Sequence, residues 1–212
     1  MEEQIQNIKT WLGRGSINIF GLPMSGKDTV GVRLAETIGG KFLSSGIIVR
    51  ALEKSTQQNH TGEGKLMPSN VFYEWVLPYF EKNELLNYPL VLSSIGRWEG
   101  EENQVMSVAR ESGHPIRAVV MLQLSEQDAI ERWEAAKLLN DRGLRADDAD
   151  PAVFQTRINE YREKTVPVLK HYQELGLLLP VKADAPRDQV FANVIEALDS
   201  FARRSGNFTT EL

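Results

Sequence analysis

Runs of apolar residues recur along this chain, separated by stretches in which apolar positions return at helical spacing. The runs "INIF" (17–20), "YPLVLSS" (88–94), "IRAVVMLQL" (116–124) and "GLLLPVKA" (176–183) are continuous and bounded by turn residues. That is the pattern of strands covered on both faces. "KFLS" (41–44) is a shorter strand candidate. Ile5, Ile8, Trp11 and Leu12 share one face of a predicted leading helix, and "TVGVRLAETIG" (29–39) reads as a helix closed by Gly39 and Gly40. Helical patterns return at 46–55, at 70–82 with a perturbation at Pro78, and at 100–113. Three more follow: one opening at Ser125, a long amphipathic stretch over 150–175, and a last helix over 186–204. Gly62, Gly64 and Pro68 mark 57–69 as a loop. Strands alternating with helices predict an α/β fold whose five-stranded parallel sheet carries helices on both faces.

The first predicted strand runs directly into "GLPMSGKDT" (21–29). Gly21, Gly26 and Lys27 have the G-x-x-x-x-G-K spacing of a phosphate-binding loop. With glycine at about 7% of residues, that spacing alone arises by chance in roughly one chain of this length in twenty. Its context is more specific, because it follows a strand and opens a helix. There the glycines let backbone N–H groups converge on phosphate oxygens, and a lysine can reach the outer phosphates.

Composition narrows the classes. At 212 residues and 42% hydrophobic content the chain can bury one substantial core. It has no cysteine, which removes disulfides, thiolate metal sites and thiol nucleophiles. A net charge of -5 argues against a general nucleic-acid binder. No apolar run approaches the roughly 20 residues that span a bilayer, and "MEEQIQNIKTW" is not a secretory leader. The expectation is a single cytoplasmic domain. His60, His114 and His171 lack metal-ligand spacing.

The loop resembles the G-x-P-G-x-G-K-G-T loop of adenylate kinases and other nucleoside monophosphate kinases, and the likeness continues in order down the chain. "FLSSGIIVR" (42–50) is similar to the family's S-T-G-D-x-x-R, "GKLMP" (64–68) to G-x-L-V-P, and "VLSSIGR" (91–97) falls where the family has L-D-G-F-P-R. "RADD" (145–148) resembles R-x-D-D, and "RINEYREKTVPVLKHY" (157–172) resembles R-(x)3-Y-(x)3-T-x-P-(x)4-Y. This covers about residues 17 to 185.

The resemblance implies a P-loop kinase fold with a small acceptor-binding insert at about 44–78 and a short lid at about 134–148. It implies ATP binding by Gly21, Pro23, Met24, Ser25, Gly26, Lys27, Asp28, Thr29 and Arg132. Ser45, Arg50, Met67, Arg97, Arg145 and Arg157 are implied for the nucleoside monophosphate, with Glu101 or Gln104 facing its base. Lys27, Arg97, Arg132, Arg145 and Arg157 are the implied catalytic residues. Permanently charged planar forks suit phosphate oxygens and the spreading charge of phosphoryl transfer. Mg²⁺ is the implied cofactor, ATP and a nucleoside monophosphate the partners, and a monomer without nucleic acid or membrane the expected state. Where this family has a glutamine four residues after the R of F-P-R, the chain has Glu101, with Gln104 three further on. Lys137 or Arg142 is a candidate for a further lid arginine that the chain lacks at Ala136.

The chain also departs from the family. Two aspartates, of S-T-G-D and of L-D-G, are Ile47 and Ser93 here, and the F-P pair is Ile95-Gly96. Those losses leave room for an inactive nucleotide-binding regulator, or a kinase of another small molecule, as alternatives. Asp28 is the converse oddity, an added carboxylate. A bare carboxylate about 4 Å from a phosphate charge costs about 4 kcal/mol at an effective dielectric near 20. Asp28 is therefore expected either to hold the metal in place of the missing aspartate or to point outward and cap its helix. Ser125, Glu126 and Asp128 read as helix-start chemistry, and Tyr73, Trp75 and Tyr79 as packing with one stacking role open.

Overall fold

The computed structural model describes residues 1–61, 64–139 and 150–206. Five strands form one wholly parallel sheet: β1 (Ser16–Gly21), β2 (Lys41–Ser44), β3 (Leu90–Ser93), β4 (Ile116–Gln123) and β5 (Leu178–Lys182). Their order is β2-β3-β1-β4-β5, which puts the glycine-loop strand in the centre with a crossover on each side. All five predicted strands are present. β1 and β3 are buried at every position, as continuous apolar runs require, and the Pro180-bearing strand is at an edge, where a missing N–H is tolerated.

Nine α-helices are described: α1 (Glu2–Leu12), α2 (Lys27–Ile38), α3 (Ser45–Thr56), α4 (Ser69–Trp75), α5 (Glu101–Glu111), α6 (Glu126–Leu139), α7 (Pro151–Glu160), α8 (Val166–Glu174) and α9 (Arg187–Gly206). One face of the sheet packs Ile17, Ile19, Val120 and Leu122 against α1, α2 and α9. On the other face Leu90 and Leu92 meet α3, α4 and α5, while Phe20 and Val119 meet α6, α7 and α8. The helix predicted over 70–82 ends at Trp75 and continues as a 3-10 turn, Leu77–Glu81, because Pro78 offers no amide to an α-helical ladder. Ser125 opens α6 as expected: its Oγ accepts from the Asp128 amide at 3.0 Å. Among the described residues, no helix is long and apolar enough to cross a membrane.

Strand ends Gly21, Ser44 and Ser93 lie along one edge, since Ile19 pairs with Ser93 and Ser44 with Ser93 in the ladder. Ligands of open α/β sheets bind beyond this carboxyl edge. The turn after β3 contains Ile95-Gly96 in place of the family's F-P pair; no peptide bond of the described residues is cis. Ser94 at φ 51° and Gly96 at φ 78° reverse the chain instead, and a Cβ on Gly96 would sit 2.9 Å from Val105 Cγ2. Buried Asn18, in mid-β1, holds that turn by its amide: Nδ2 donates to the Ile95 carbonyl at 2.8 Å and Oδ1 accepts from the Ile95 amide at 3.3 Å.

Replacing Asn18 by Ala strands two buried backbone groups of Ile95. Each is expected to cost about 1–3 kcal/mol, read as a lowered midpoint in thermal or urea unfolding. An unchanged midpoint would show that water replaces the amide.

Candidate active site

The loop after β1 is built for close approach. A Cβ on Gly21 would sit 2.5 Å from Ser25 Oγ, so the strand must end on a residue without one. Gly26 at φ 83° starts α2, and Met24 also lies in the left-handed region, at φ 65°. A non-glycine residue there is strained. Its side chain is partly buried against the core cluster that contains Phe20 and Leu22. The Ser25 hydroxyl is buried and makes no hydrogen bond among the described residues. Lys27 and Asp28 occupy the first turn of α2, where backbone N–H groups and the helix dipole favour an anion.

Asp28 does not cap that helix. Its Oδ1 accepts a 2.5 Å hydrogen bond from Ser93 Oγ at the end of β3. The outward-pointing alternative is thereby corrected. The carboxylate supplied by α2 has come to the strand end where the family resemblance leads one to look for an aspartate.

Two clefts open on either side of the loop. One, beside α9, is lined by Met24, Ser25, Gly26, Thr29, Arg132 and Phe191, among others. Arg132 crosses it, donating to the Ala183 carbonyl at 2.6 Å and the Met24 carbonyl at 3.4 Å. Pro23 is buried in the loop beneath.

The other cleft, beside α3, brings together Arg50, Arg97 and Arg157 from three separate elements, with Lys65 among them. Arg50 folds back over Gly46, where a Cβ would sit 2.9 Å from its Nη1. Ser45 and Met67 line the same cleft, and the Ser45 hydroxyl donates to the Ser94 carbonyl at 2.8 Å. Burial pushes the Tyr161 phenol up to about 12, against the opposing pull of the Arg97 charge. Ile47, in place of a family aspartate, is 51% exposed.

Glu101 lines this cleft but is not turned over to it whole. Its Oε2 accepts from the amides of Arg97 at 2.7 Å and Trp98 at 3.0 Å. Oε1 is buried and makes no hydrogen bond among the described residues. Burial raises the Glu101 pKa, outweighing the Trp98 amide, the nearby Ser69 hydroxyl, and the amide and charge of Arg97, which all lower it. Gln104 is exposed on α5 and does not line the cleft. Glu101, Glu102, Val105 and Ala109 form the buried stripe of that helix, which leaves position 104 outside it. Lys137 lies over the Trp133 ring at 4.4 Å. Trp75 packs edge-on against His60, and Tyr79 lies under Lys82. Arg142, Arg145, Asp147 and Asp148, with most of the expected lid, fall outside the described residues.

Asn18, Trp98, Glu160 and Lys164 were not anticipated. A lone amide inside the apolar "INIF" run was the only signal for the first. Glu160 and Lys164 stand four apart on a predicted helix, which signals a pair but not its place at the cleft. Trp98 gave no signal.

A central parallel sheet, a glycine loop opening a helix, and arginine-bearing clefts on both sides define a P-loop kinase. The adenylate kinases of Mycobacterium tuberculosis and Mycobacterium bovis are each 30% identical to it, over 85% of this chain and 97% of theirs. That of Chlamydia muridarum is 27% identical, over 85% of both chains. The chain belongs to the adenylate kinase family. No family model matches it. A solved gluconokinase from Sinorhizobium meliloti shares the fold at TM-score 0.62 and 18% identity, over 94% of this chain and 99% of that one.

The raised Glu101 pKa predicts a pH signature. Between the ordinary value of 4.5 and the raised one, the folded state holds the proton while the unfolded state has released it. Stability contributed at low pH is therefore lost as pH rises through that window. In Glu101→Gln this fall should vanish, so the unfolding midpoints of the two proteins should converge toward pH 4.5 and separate above it in favour of the variant. Parallel curves would mean that the carboxyl titrates normally.

Proposed function

We propose that the chain is a nucleoside monophosphate kinase, transferring the γ-phosphoryl group of Mg-ATP to a nucleoside monophosphate, with AMP favoured, to give ADP and a nucleoside diphosphate. The observation that carries this is the convergence of Arg50, Arg97 and Arg157 in a cleft that shares no lining residue with the one holding Arg132 and the glycine loop. Phosphoryl transfer asks the protein for alignment and charge neutralisation more than for covalent chemistry. Met24, Ser25, Gly26, Thr29 and Arg132 would hold ATP in the cleft beside α9. The other cleft would hold the acceptor phosphate on Arg50 and Arg97, with Arg157 and Lys27 toward the group in transit. Residues 44–78 would then be the acceptor-binding insert and 134–148 the lid, whose closure excludes water.

The residues present fit a magnesium ion carried by the nucleotide. Mg²⁺ is commonly held by one or two carboxylates together with substrate phosphates and water. Asp28 supplies one carboxylate beside the loop, adjoining the Ser93 hydroxyl. Among the described residues, no three acidic or histidine side chains gather into a site of their own. Asp28 would hold such an ion beside the loop, and the chemistry it would supply there is neutralisation of phosphate charge, including the repulsion between that carboxylate and the phosphates.

AMP is favoured because the relatives are adenylate kinases. Glu101 argues less for adenine than a glutamine there would, since an ionised carboxylate accepts from adenine's amino group but has no proton for the neighbouring ring nitrogen. Its Oε2 already accepts two amides and its Oε1 is buried, so Glu101 acts on the cleft through the segment bearing Arg97 and Trp98.

A screen of the common nucleoside monophosphates with ATP as donor, read as ADP formation, should give AMP the highest rate. No turnover with any of them overturns the proposal. Within the active pair, Lys27→Ala should lower turnover by at least about 100-fold, as removal of one preorganised charge-stabilising donor does. Turnover within a few-fold of the parent would take the loop out of the chemistry. Asp28→Asn should raise the Mg²⁺ concentration giving half-maximal rate, and an unchanged Mg²⁺ dependence would release Asp28 from any metal role.

A further inference from the structure

Leu66 and Met67, which border the arginine-rich cleft, are gripped through their backbone by side chains from two distant elements. The Leu66 amide donates to Glu160 Oε2 at 2.9 Å, and the Trp98 indole Nε1–H donates to the Met67 carbonyl at 3.0 Å. Lys164 joins the two grips. Its ammonium contacts both Glu160 oxygens at 2.6 Å and lies 3.9 Å from the centroid of the Trp98 ring. The circuit is closed: Leu66 amide, Glu160, Lys164, Trp98, Met67 carbonyl. It is also shielded, with the Lys164 and Glu160 side chains only 21% and 12% exposed, so the attraction is less screened than at the open surface. Gly64 supplies an independent sign of close docking. At φ +79° it lies so near α7 that a Cβ would sit 2.6 Å from the Val153 carbonyl and 3.0 Å from Arg157 Cγ.

We propose that Glu160, Lys164 and Trp98 are positioning residues that clamp segment 64–67 onto α7 before substrate arrives, so that the wall of the acceptor cleft formed by Lys65 and Met67 is built in advance. Glu160 and Trp98 line that cleft, and none of the three lines the other. The clamp therefore acts on acceptor binding and not on ATP. Apparent affinity falls in proportion to the fraction of molecules in the binding-competent state. If loss of the clamp leaves about one molecule in ten competent, the acceptor KM rises about tenfold. This rests on the assignment of the cleft to the acceptor under the proposed function.

The test uses Lys164→Met, which keeps the aliphatic stem, and Trp98→Phe, which keeps an aromatic ring but loses the indole donor. Amide hydrogen exchange at Leu66, whose N–H is the clamped donor, in the protein without nucleotide, reads the clamp whether or not any acceptor is phosphorylated. Faster exchange in both variants is expected, with Lys164→Arg restoring protection. In AMP kinetics, the acceptor KM should rise about tenfold in Lys164→Met, with the KM for ATP unchanged and kcat falling less than the acceptor KM rises. Unchanged exchange in both variants overturns the clamp. Faster exchange with no change in the acceptor KM, or with an equal change for ATP, overturns the positioning role while leaving the kinase reading intact. If the parent phosphorylates no nucleoside monophosphate, the kinase reading fails, and the exchange measurement alone decides whether the clamp exists.

Discussion

Parallel pairing of β1 with β3 is the constraint on which the carboxyl edge of the sheet depends. It sets Ser93 one strand away from the glycine loop, within reach of a side chain on the first turn of α2. A carboxylate at the first turn of a phosphate-binding helix would otherwise repel its ligand. Here Asp28 is drawn sideways to the strand end. The same pairing brings the turn after β3 beside Asn18, whose amide fixes Ile95 and with it the start of the segment bearing Arg97. One ladder thus orients a carboxylate and an arginine on the two sides of the loop.

The clefts it separates are built on different physical principles. Beside α9, Arg132 is tied to the carbonyls of Met24 and Ala183, so the charge is aimed by main-chain acceptors rather than by other side chains. Beside α3, the arginines come from α3, the turn after β3, and α7, and their arrangement depends on how those elements pack. Long-range ties such as Glu160 to the Leu66 amide matter there, because they fix residues 64–67 to an element 94 residues away along the chain.

This division explains what could be read from the sequence. The strands were legible because covered parallel strands leave uninterrupted apolar runs, and the break in the helix at 70–82 was legible because proline removes a donor. The glycine loop was legible by spacing and context together. Gln104 misled because spacing along a chain does not say which face of a helix a residue occupies; the buried stripe of α5 runs through 101, 102, 105 and 109. Glu101, the other candidate for the base, gives half of its carboxylate to the two amides just before its own helix, a local tie that spacing does not show. Glu160 and Lys164 stand four apart and pair with each other, a spacing the sequence does show. Their ties to Leu66 and Trp98, and that of Trp98 to Met67, span 94, 66 and 31 residues and gave no warning.

Between α7 and α8 the helix does not stop; it widens into a π-type turn over Tyr161–Thr165. A π-turn carries one residue more than the α-helical winding it interrupts. An α-helix advances about 100° per residue, so that extra residue rephases everything beyond it by the same angle. Before the turn, Phe154 and Ile158 pack into the core while Arg157 and Glu160 line the cleft; after it, Val168, Leu169 and Tyr172 join the same core. The buried stripe of one continuous rod thus runs through the turn, and its place on either side is set with that extra residue's winding included. Insertions and deletions in this rod are therefore tolerable only when they preserve its phase, whatever residues they add or remove.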